Sequence, residues 1–128
     1  MIVAGVDKHT IDTIAANHGV KVTYISDDPD FYKKQFGYDD FVNRSFIIGN
    51  DEIVLGIYED RELLFISFFH ELGHRLVEGV SPWNPLSKFR VELHCWDLAL
   101  QEAQKHGIEF SDKTVGWGYS CALTYLKN

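Results

Sequence analysis

The feature that most constrains the fold is an apolar stretch over residues 61–78 that contains the sequence HELGH at 70–74. Its apolar spacing predicts a helix over the whole stretch, and Asp60 is placed to act as the N-cap. Residues four apart lie one turn apart on the same face of a helix. A helix here therefore brings the imidazoles of His70 and His74 to one side.

The other elements follow from hydrophobic periodicity and from turn-forming residues. In chain order we expect a helix, a strand, a short helix, two strands and three helices. Their predicted ranges are 7–18, 21–26, 29–36, 45–48, 53–58, 61–78, 85–106 and 119–126, with Asn84 as a cap and Gly19, Gly79 and Gly107 as helix stops. The turn Gly49-Asn50-Asp51 indicates a β-hairpin. This order predicts an α+β fold in which a short antiparallel sheet packs on the helix 61–78, followed by an antiparallel helix.

Length and composition limit the class of protein. The chain of 128 residues, 45% hydrophobic and 24% charged, fits one globular domain spanning residues 1–128. Its net charge of −7 repels phosphate backbones and argues against a nucleic-acid partner. No apolar run reaches the roughly 18 residues of a membrane span, and the first residues lack the pattern of a signal peptide. We therefore expect a cytoplasmic protein without membrane association.

The cysteines and the acidic residues carry weaker signals. Cys95 and Cys121 do not form a CxxC motif, which argues against a zinc knuckle, and two unpaired thiols suggest a reducing compartment. Acidic residues cluster between positions 27 and 40, with Lys33 and Lys34 among them. We interpret this cluster as a solvated surface, with a docking surface for a basic partner as the alternative.

The HELGH sequence at 70–74 contains the predicted metal ligands and the predicted catalytic base. Neutral imidazoles at positions i and i+4 can bind one Zn²⁺, so His70 and His74 are predicted metal ligands. Glu71 is rotated by roughly 100° around the helix, which places it to reach a metal-activated water rather than the ion itself. It is therefore the predicted catalytic general base. Burying these groups in an apolar helix without partners would be costly, and a metal ion removes that cost.

A catalytic zinc site usually has three protein ligands and one open position. The candidates for the third ligand lie on the predicted helix 85–106 and are Glu92, His94, Cys95 and Asp97. At 1.5 Å per residue, His74 and Glu92 lie roughly 6 and 10 Å from the connecting loop, so an antiparallel pair would bring them together. We therefore favour Glu92. Cys95 is expected to be a small buried residue beside the metal, with a thiolate ligand as the alternative, and Asp97 or His94 could support a ligand from outside.

The residues around HELGH resemble those of the ImmA/IrrE-type metallopeptidases, a zincin family. That family has a β-hairpin, a helix carrying HELGH and then a helix of the form E-x-x-A-x-x-F-A. Here the second motif is ELHCWDLA at 92–99, in which Glu92 and Ala99 match while Cys95 and Leu98 replace alanine and phenylalanine. The resemblance covers residues 45–105. It implies a zincin-like fold, zinc bound by His70, His74 and Glu92, and Glu71 as the base.

The resemblance also implies a substrate. Members of that family commonly cleave repressor or regulator proteins, so we expect a zinc-dependent endopeptidase that acts on a protein or peptide, in particular a specific regulatory protein. For the oxyanion formed during hydrolysis, Tyr119 is the most suitable donor, with Trp117 and His106 as alternatives.

Three other functions are compatible with the same residues. The chain could be a catalytically silent zincin scaffold that binds a partner protein through residues 27–40 or 117–119, although a pure scaffold would not need the Glu71 carboxylate. It could be a zinc hydrolase of a non-peptide amide, which would use the same chemistry. A purely structural zinc site is disfavoured because three nitrogen and oxygen ligands leave an open coordination position.

Overall fold

The computed structural model of the chain describes residues 5–37, 41–49, 51–76 and 85–124. In these ranges the helices are α1 (Gly5–Asn17), α2 (Pro29–Phe36), α3 (Arg61–Leu76), α4 (Pro85–Lys105) and α5 (Asp112–Leu123). The strands are β1 (Lys21–Tyr24), β2 (Phe46–Ile48) and β3 (Glu52–Leu55), and a 3-10 turn spans Ile25–Asp27. The α+β class predicted from the sequence is confirmed. None of the described helices has both the length and the hydrophobicity needed to cross a membrane.

The chain forms two compact units, Met1–Phe68 and Phe69–Asn128, and the boundary between them falls inside α3. The first unit contains α1, α2 and the three strands, and the second contains α4 and α5. The residues to which the sequence assigns chemistry, His70, Glu71, His74 and Glu92, all belong to the second unit. The candidate site therefore lies within that unit alone.

The sheet of the first unit is mixed. Its strand order is β1-β3-β2, with β2 antiparallel and β1 parallel to β3. The predicted hairpin is confirmed, because Ile48 pairs with Glu52 across a turn in which Gly49 has a φ of 59°. The expectation of an antiparallel sheet is wrong for β1. A long connection that includes α2 separates β1 from β3, and a crossover of that kind allows parallel pairing.

Strand β3 is shorter than the predicted strand 53–58 because of Gly56. A β-carbon at this position would overlap the backbone carbonyl oxygens of Phe41 and Arg44. The backbone N–H of Gly56 donates to the hydroxyl of Ser45 at 3.0 Å rather than to a neighbouring strand. Close packing of loop backbone therefore ends the strand here, a contact that local sequence does not reveal.

Caps and glycines set several helix ends as predicted. An oxygen of the Asp60 side chain accepts a backbone N–H of the first turn of α3 at 2.8 Å. Gly19 after α1 and Gly107 after α4 have φ values of 70° and 71°, which favour glycine at a helix stop. The predicted cap Asn84 and the predicted stop Gly79 lie outside the described residues.

Helix α5 begins at Asp112 rather than at the predicted Tyr119. Gly116 and Gly118 lower the helix propensity of the segment, so its sequence gives a weak helical signal. Packing compensates in part, since Gly118 lies against the indole of Trp96, where a β-carbon would come within 2.9 Å of the ring. Tertiary contact therefore overrides local propensity in this helix.

The acidic cluster between positions 27 and 40 is partly described. Asp27 forms an ion pair with Lys8 at 3.1 Å. The side chain of Asp28 accepts the backbone N–H of Phe31 at 3.3 Å and caps α2. Asp27, Asp28 and Asp30 are exposed, as expected for a solvated surface, whereas positions 39 and 40 lie outside the described residues.

Candidate metal centre

Three donor side chains converge where α3 meets α4. The Nε2 atoms of His70 and His74 lie 3.2 Å apart. Glu92 faces both rings, with Oε2 3.0 Å from Nε2 of His70 and Oε1 3.2 Å from Nε2 of His74. These three residues form a group that could hold a metal ion, and the described residues contain no second group of this kind.

The spacing of the donor atoms fits a small cation. In a tetrahedral zinc site with bonds of about 2.0–2.1 Å, two ligand atoms lie about 3.3 Å apart. The separations of 3.0 to 3.2 Å are close to that value. Lone pairs of two neutral imidazoles and a carboxylate repel one another unless positive charge lies between them. A proton or a metal ion can supply that charge, and nitrogen and oxygen donors of this kind suit zinc.

Burial and mutual contact set the protonation of the three donors. Burial lowers the pKa of His70. Burial also opposes the charged form of His74, but its hydrogen bonds with Cys95 and Glu92 outweigh this and raise its pKa to about 10. Burial favours the neutral form of Glu92, yet hydrogen bonds from both imidazoles lower its pKa to about 2. Near neutral pH the metal-free group therefore holds one proton on His74 opposite an ionised carboxylate.

Glu71 is not one of the three donors, but its carboxyl group interacts electrostatically with His74 and Glu92. Its side chain is buried, with 8% of the residue exposed. Burial raises its pKa to about 8, with Glu92 acting in the same direction and His74 against it. A carboxyl group that titrates near neutral pH can both accept and return a proton, which is the property required of a general base.

The close approach of α3 and α4 depends on a glycine. A β-carbon on Gly73 would lie 2.7 Å from the carbonyl oxygen of Cys95 and 3.3 Å from its α-carbon. At the other end of the contact, the ring of Phe69 stacks on His106 with centroids 6.2 Å apart. Gly73 thus meets Cys95, whereas Phe69, which is earlier in α3, meets His106, which is later in the chain than Cys95. The two helices therefore run antiparallel, as the sequence predicts.

The two imidazoles also contact consecutive residues of α4. Sγ of Cys95 lies 3.4 Å from Nδ1 of His74, and Cys95 is completely buried, as expected, but outside the donor group. The indole of Trp96 stacks on the ring of His70, with centroids 3.8 Å apart and an interplanar angle of 19°. Trp96 is not among the site residues that the sequence predicts. Its position four residues after Glu92, on the same helix face, was the signal that could have identified it.

The remaining candidates from the sequence make other contacts. The hydroxyl of Tyr119 donates to Asp97 at 2.6 Å, and this bond, together with burial, raises the pKa of Tyr119 to about 12. Trp117 packs edge-on against Trp96 with centroids 5.9 Å apart. His94 is exposed. Asp97 and His94 are therefore not placed as metal ligands, and the hydroxyl of Tyr119 is already engaged.

Comparisons of the chain with protein-family models, with curated proteins and with solved structures give no match. The residues themselves and the geometry of the second unit therefore provide the basis for a function.

Proposed function

We propose that this chain is a zinc-dependent peptidase whose metal is held by His70, His74 and Glu92 and whose general base is Glu71. The observation that carries the proposal is the convergence of two imidazole nitrogens and one carboxylate at separations of 3.0 to 3.2 Å, with a buried carboxyl group beside them. The HELGH sequence and the resemblance to the ImmA/IrrE-type metallopeptidases support the reaction type.

The ligand set suits catalysis better than a structural role. A zinc ion held by three side chains would keep one open position and would supply a Lewis acid and a water molecule with a pKa near 7. With both imidazoles neutral, the three side chains contribute a single negative charge, from Glu92. This low ligand charge leaves a divalent ion electrophilic, whereas structural zinc sites commonly use several thiolates.

Glu71 provides the proton transfer that hydrolysis requires. Its carboxyl group accepts a proton from the attacking water and returns it to the leaving amine. The pKa of about 8 belongs to the metal-free chain, and a nearby dication favours the ionised form that a base needs. Glu71 follows His70 directly in α3, interacts electrostatically with His74 and Glu92, and is not one of the three donors, which supports a role as base rather than as ligand.

The resemblance and the net charge guide the choice of substrate class. The resemblance favours a protein substrate, in particular a specific regulatory protein, and the net charge of −7 disfavours a nucleic acid. Hydrolysis of a non-peptide amide would use the same four residues. An assay with peptides and with small amides distinguishes the two classes.

The test combines metal content with turnover. Purified protein is loaded with Zn²⁺, its zinc content is measured by atomic absorption, and a peptide library and small amides are incubated with and without a chelator. We expect about one zinc per chain and peptide cleavage that the chelator abolishes. Glu71→Gln should keep the zinc and lose turnover by a factor of about 10² or more.

Glu109→Gln is the matched control, because Glu109 is exposed and lies outside the donor group. It should leave both zinc content and turnover unchanged. Wild-type protein that binds no zinc would overturn the metal site. Protein that binds zinc but cleaves neither peptides nor amides would instead favour the scaffold hypothesis, and cleavage of amides alone would remove the peptidase assignment.

A further inference from the structure

We propose that the adjacent residues Cys95 and Trp96 position the two histidines of the metal centre, Cys95 by a hydrogen bond to His74 and Trp96 by stacking on His70. The inference rests on the metal-binding part of the proposed function and does not require peptide hydrolysis.

A metal-binding imidazole must be held in one orientation. Proteins usually achieve this by letting the second ring nitrogen donate to a carboxylate, a backbone carbonyl or a water molecule, which fixes both the tautomer and the ring plane. In the described part of the chain, Nδ1 of His70 is buried and makes no hydrogen bond. Nδ1 of His74 faces the thiol of Cys95. Both rings therefore need a different means of support.

Cys95 can fix the tautomer of His74. If Nε2 faces the metal with its lone pair, then Nδ1 carries the hydrogen and donates to Sγ, which lies 3.4 Å away. The thiol is completely buried, and the carbonyl of the same residue lies against Gly73, one position before His74. Its side chain thus sits at a fixed place relative to the ring that it supports.

Trp96 can fix the plane of His70. The two rings are nearly parallel, with centroids 3.8 Å apart, so rotation of the imidazole about χ2 would lose the stacking contact. The indole is itself held, because Gly118 lies against its six-membered ring and Trp117 packs edge-on at 5.9 Å. Its Nε1 makes no hydrogen bond in the described part of the chain, so the contact with His70 depends on the ring face and not on a polar group.

One face of α4 thus provides a ligand and both supports. Residues three and four positions after Glu92 lie on the same side of the helix as Glu92 itself. Displacing α4 would move the carboxylate and release both rings together. We expect substitutions of Cys95 and Trp96, which support the ligands without binding the metal, to weaken zinc binding by the factor of about 10 to 100 that such supporting residues typically contribute.

The test of Cys95 compares Cys95→Ala with Cys95→Ser. The two variants have similar size, but only serine retains a group that accepts from His74. Zinc affinity is measured by competition with a fluorescent chelator, and ¹⁵N-edited NMR follows solvent exchange of the His74 Nδ1–H in both metal-free and zinc-loaded protein. We expect alanine to weaken zinc binding at least about tenfold and to speed the exchange, and serine to restore most of both.

The test of Trp96 compares Trp96→Phe with Trp96→Leu. Phenylalanine keeps an aromatic face, whereas leucine keeps only apolar volume. The ring protons of His70 should show an upfield ring-current shift in wild-type protein that is reduced in the phenylalanine variant and lost in the leucine variant. Zinc affinity should fall in the same order. Circular dichroism establishes whether each variant is folded. If the leucine variant does not fold, the comparison of wild type with the phenylalanine variant still tests the role of Trp96.

The outcomes separate this inference from the proposed function. Equal zinc affinity in wild type, Cys95→Ala and Trp96→Phe with unchanged NMR signals would overturn the positioning roles while leaving the metal site intact. Equal losses in the alanine and serine variants, with His74 exchange unchanged, would reduce Cys95 to a packing residue and overturn its role. Wild-type protein that binds zinc without cleaving any peptide would remove the peptidase and leave the positioning roles standing.

Discussion

The α-carbon of Gly73 lies against the peptide carbonyl of Cys95, so closely that a β-carbon at position 73 would come within 2.7 Å of that oxygen. Both partners belong to helix backbone, which cannot move aside as the end of a flexible side chain can. Any side chain at position 73 must therefore push α3 and α4 apart. This separation would also move His74 away from Glu92, which lie 3.2 Å apart across the same contact.

Gly73→Ala is predicted to destabilise the protein and weaken zinc binding together. Overpacking of this kind typically costs about 1–3 kcal/mol in the free energy of unfolding. The measurement is chemical denaturation of metal-free protein, followed by zinc affinity at a temperature where the variant is folded. An alanine variant as stable as wild type, with unchanged zinc affinity, would contradict the close packing of the two helices.

Gly116→Ala is the matched control. Gly116 also lies inside a helix, but a β-carbon there would meet no atom within 4 Å. Alanine should therefore raise the free energy of unfolding by about 0.5–1 kcal/mol, because it lowers the backbone entropy of the unfolded chain. Opposite signs in the two variants would show that packing against Cys95, and not helix propensity, determines the effect at position 73.

Substitution of a metal ligand is predicted to weaken zinc binding more than substitution of Cys95 or Trp96. His70→Ala, His74→Ala and Glu92→Gln should each weaken zinc binding beyond the factor of about 10 to 100 that applies to residues that only support a ligand. His94→Ala is the control, since His94 is exposed and lies on the same helix as Glu92. The comparison uses zinc content after dialysis against a weak chelator. If His94→Ala loses as much zinc as Glu92→Gln, the assignment of the third ligand is wrong.

Zinc binding is predicted to release protons. At about pH 7.5, His74 is protonated in the metal-free chain because its pKa is about 10, whereas His70, whose pKa is lowered, is neutral. A metal ion must displace the proton on His74 and favours ionisation of Glu71, whose pKa is about 8. We therefore expect these two side chains to release between about one and two protons per zinc, and ionisation of a zinc-bound water would add to that number. Glu92, with a pKa of about 2, contributes none.

Calorimetry in buffers with different heats of ionisation measures this number directly. Because zinc binding releases protons, apparent zinc affinity must rise with pH. The rise should continue as long as the metal-free His74 carries its proton, up to about pH 10. Zinc binding that releases no proton and does not depend on pH between 6 and 9 would rule out His74 as a ligand in this protonation state.

Tyr119 is predicted to have little part in catalysis. Its hydroxyl donates to Asp97 at 2.6 Å, and that bond, with burial, raises its pKa to about 12. If Tyr119→Phe lowered kcat by about 10² or more, the hydroxyl would have the role of an oxyanion donor that the sequence suggested. We expect kcat to be retained. Absorbance titration should show a tyrosine with a pKa of about 12 in wild type that moves toward about 10 in Asp97→Asn.

Much of the fold could be predicted because local signals and tertiary structure agree. Apolar periodicity together with the cap at Asp60 and the glycine stops placed α1, α3 and α4, and the turn after β2 placed the hairpin. The parallel pairing of β1 with β3 could not be predicted, because strand direction depends on how a connection crosses the sheet. The start of α5 could not be predicted because Gly116 and Gly118 lower the helix propensity of the segment, whereas the packing of Gly118 on Trp96 stabilises the helix.

The candidate site was predictable to the extent that helix geometry determines it. The spacing of His70 and His74 requires a shared face, and their distance from the connecting loop brought Glu92 to the same level. The supports at Cys95 and Trp96 depend on which faces of two helices meet. The contact between these two faces depends on the absence of a side chain at Gly73, and the apolar periodicity of a single helix does not predict it.

Because the donors come from two different helices of one compact unit, a bound cation would act as a cross-link that only the folded chain can form. Such a link stabilises by mass action, by about 2.7 kcal/mol when the concentration of the ion is 100 times its dissociation constant. The heat tolerance and protease resistance of this unit would then follow the supply of zinc in its surroundings. When zinc is scarce, a chain with this arrangement would lose folding stability in this unit as well as catalytic activity.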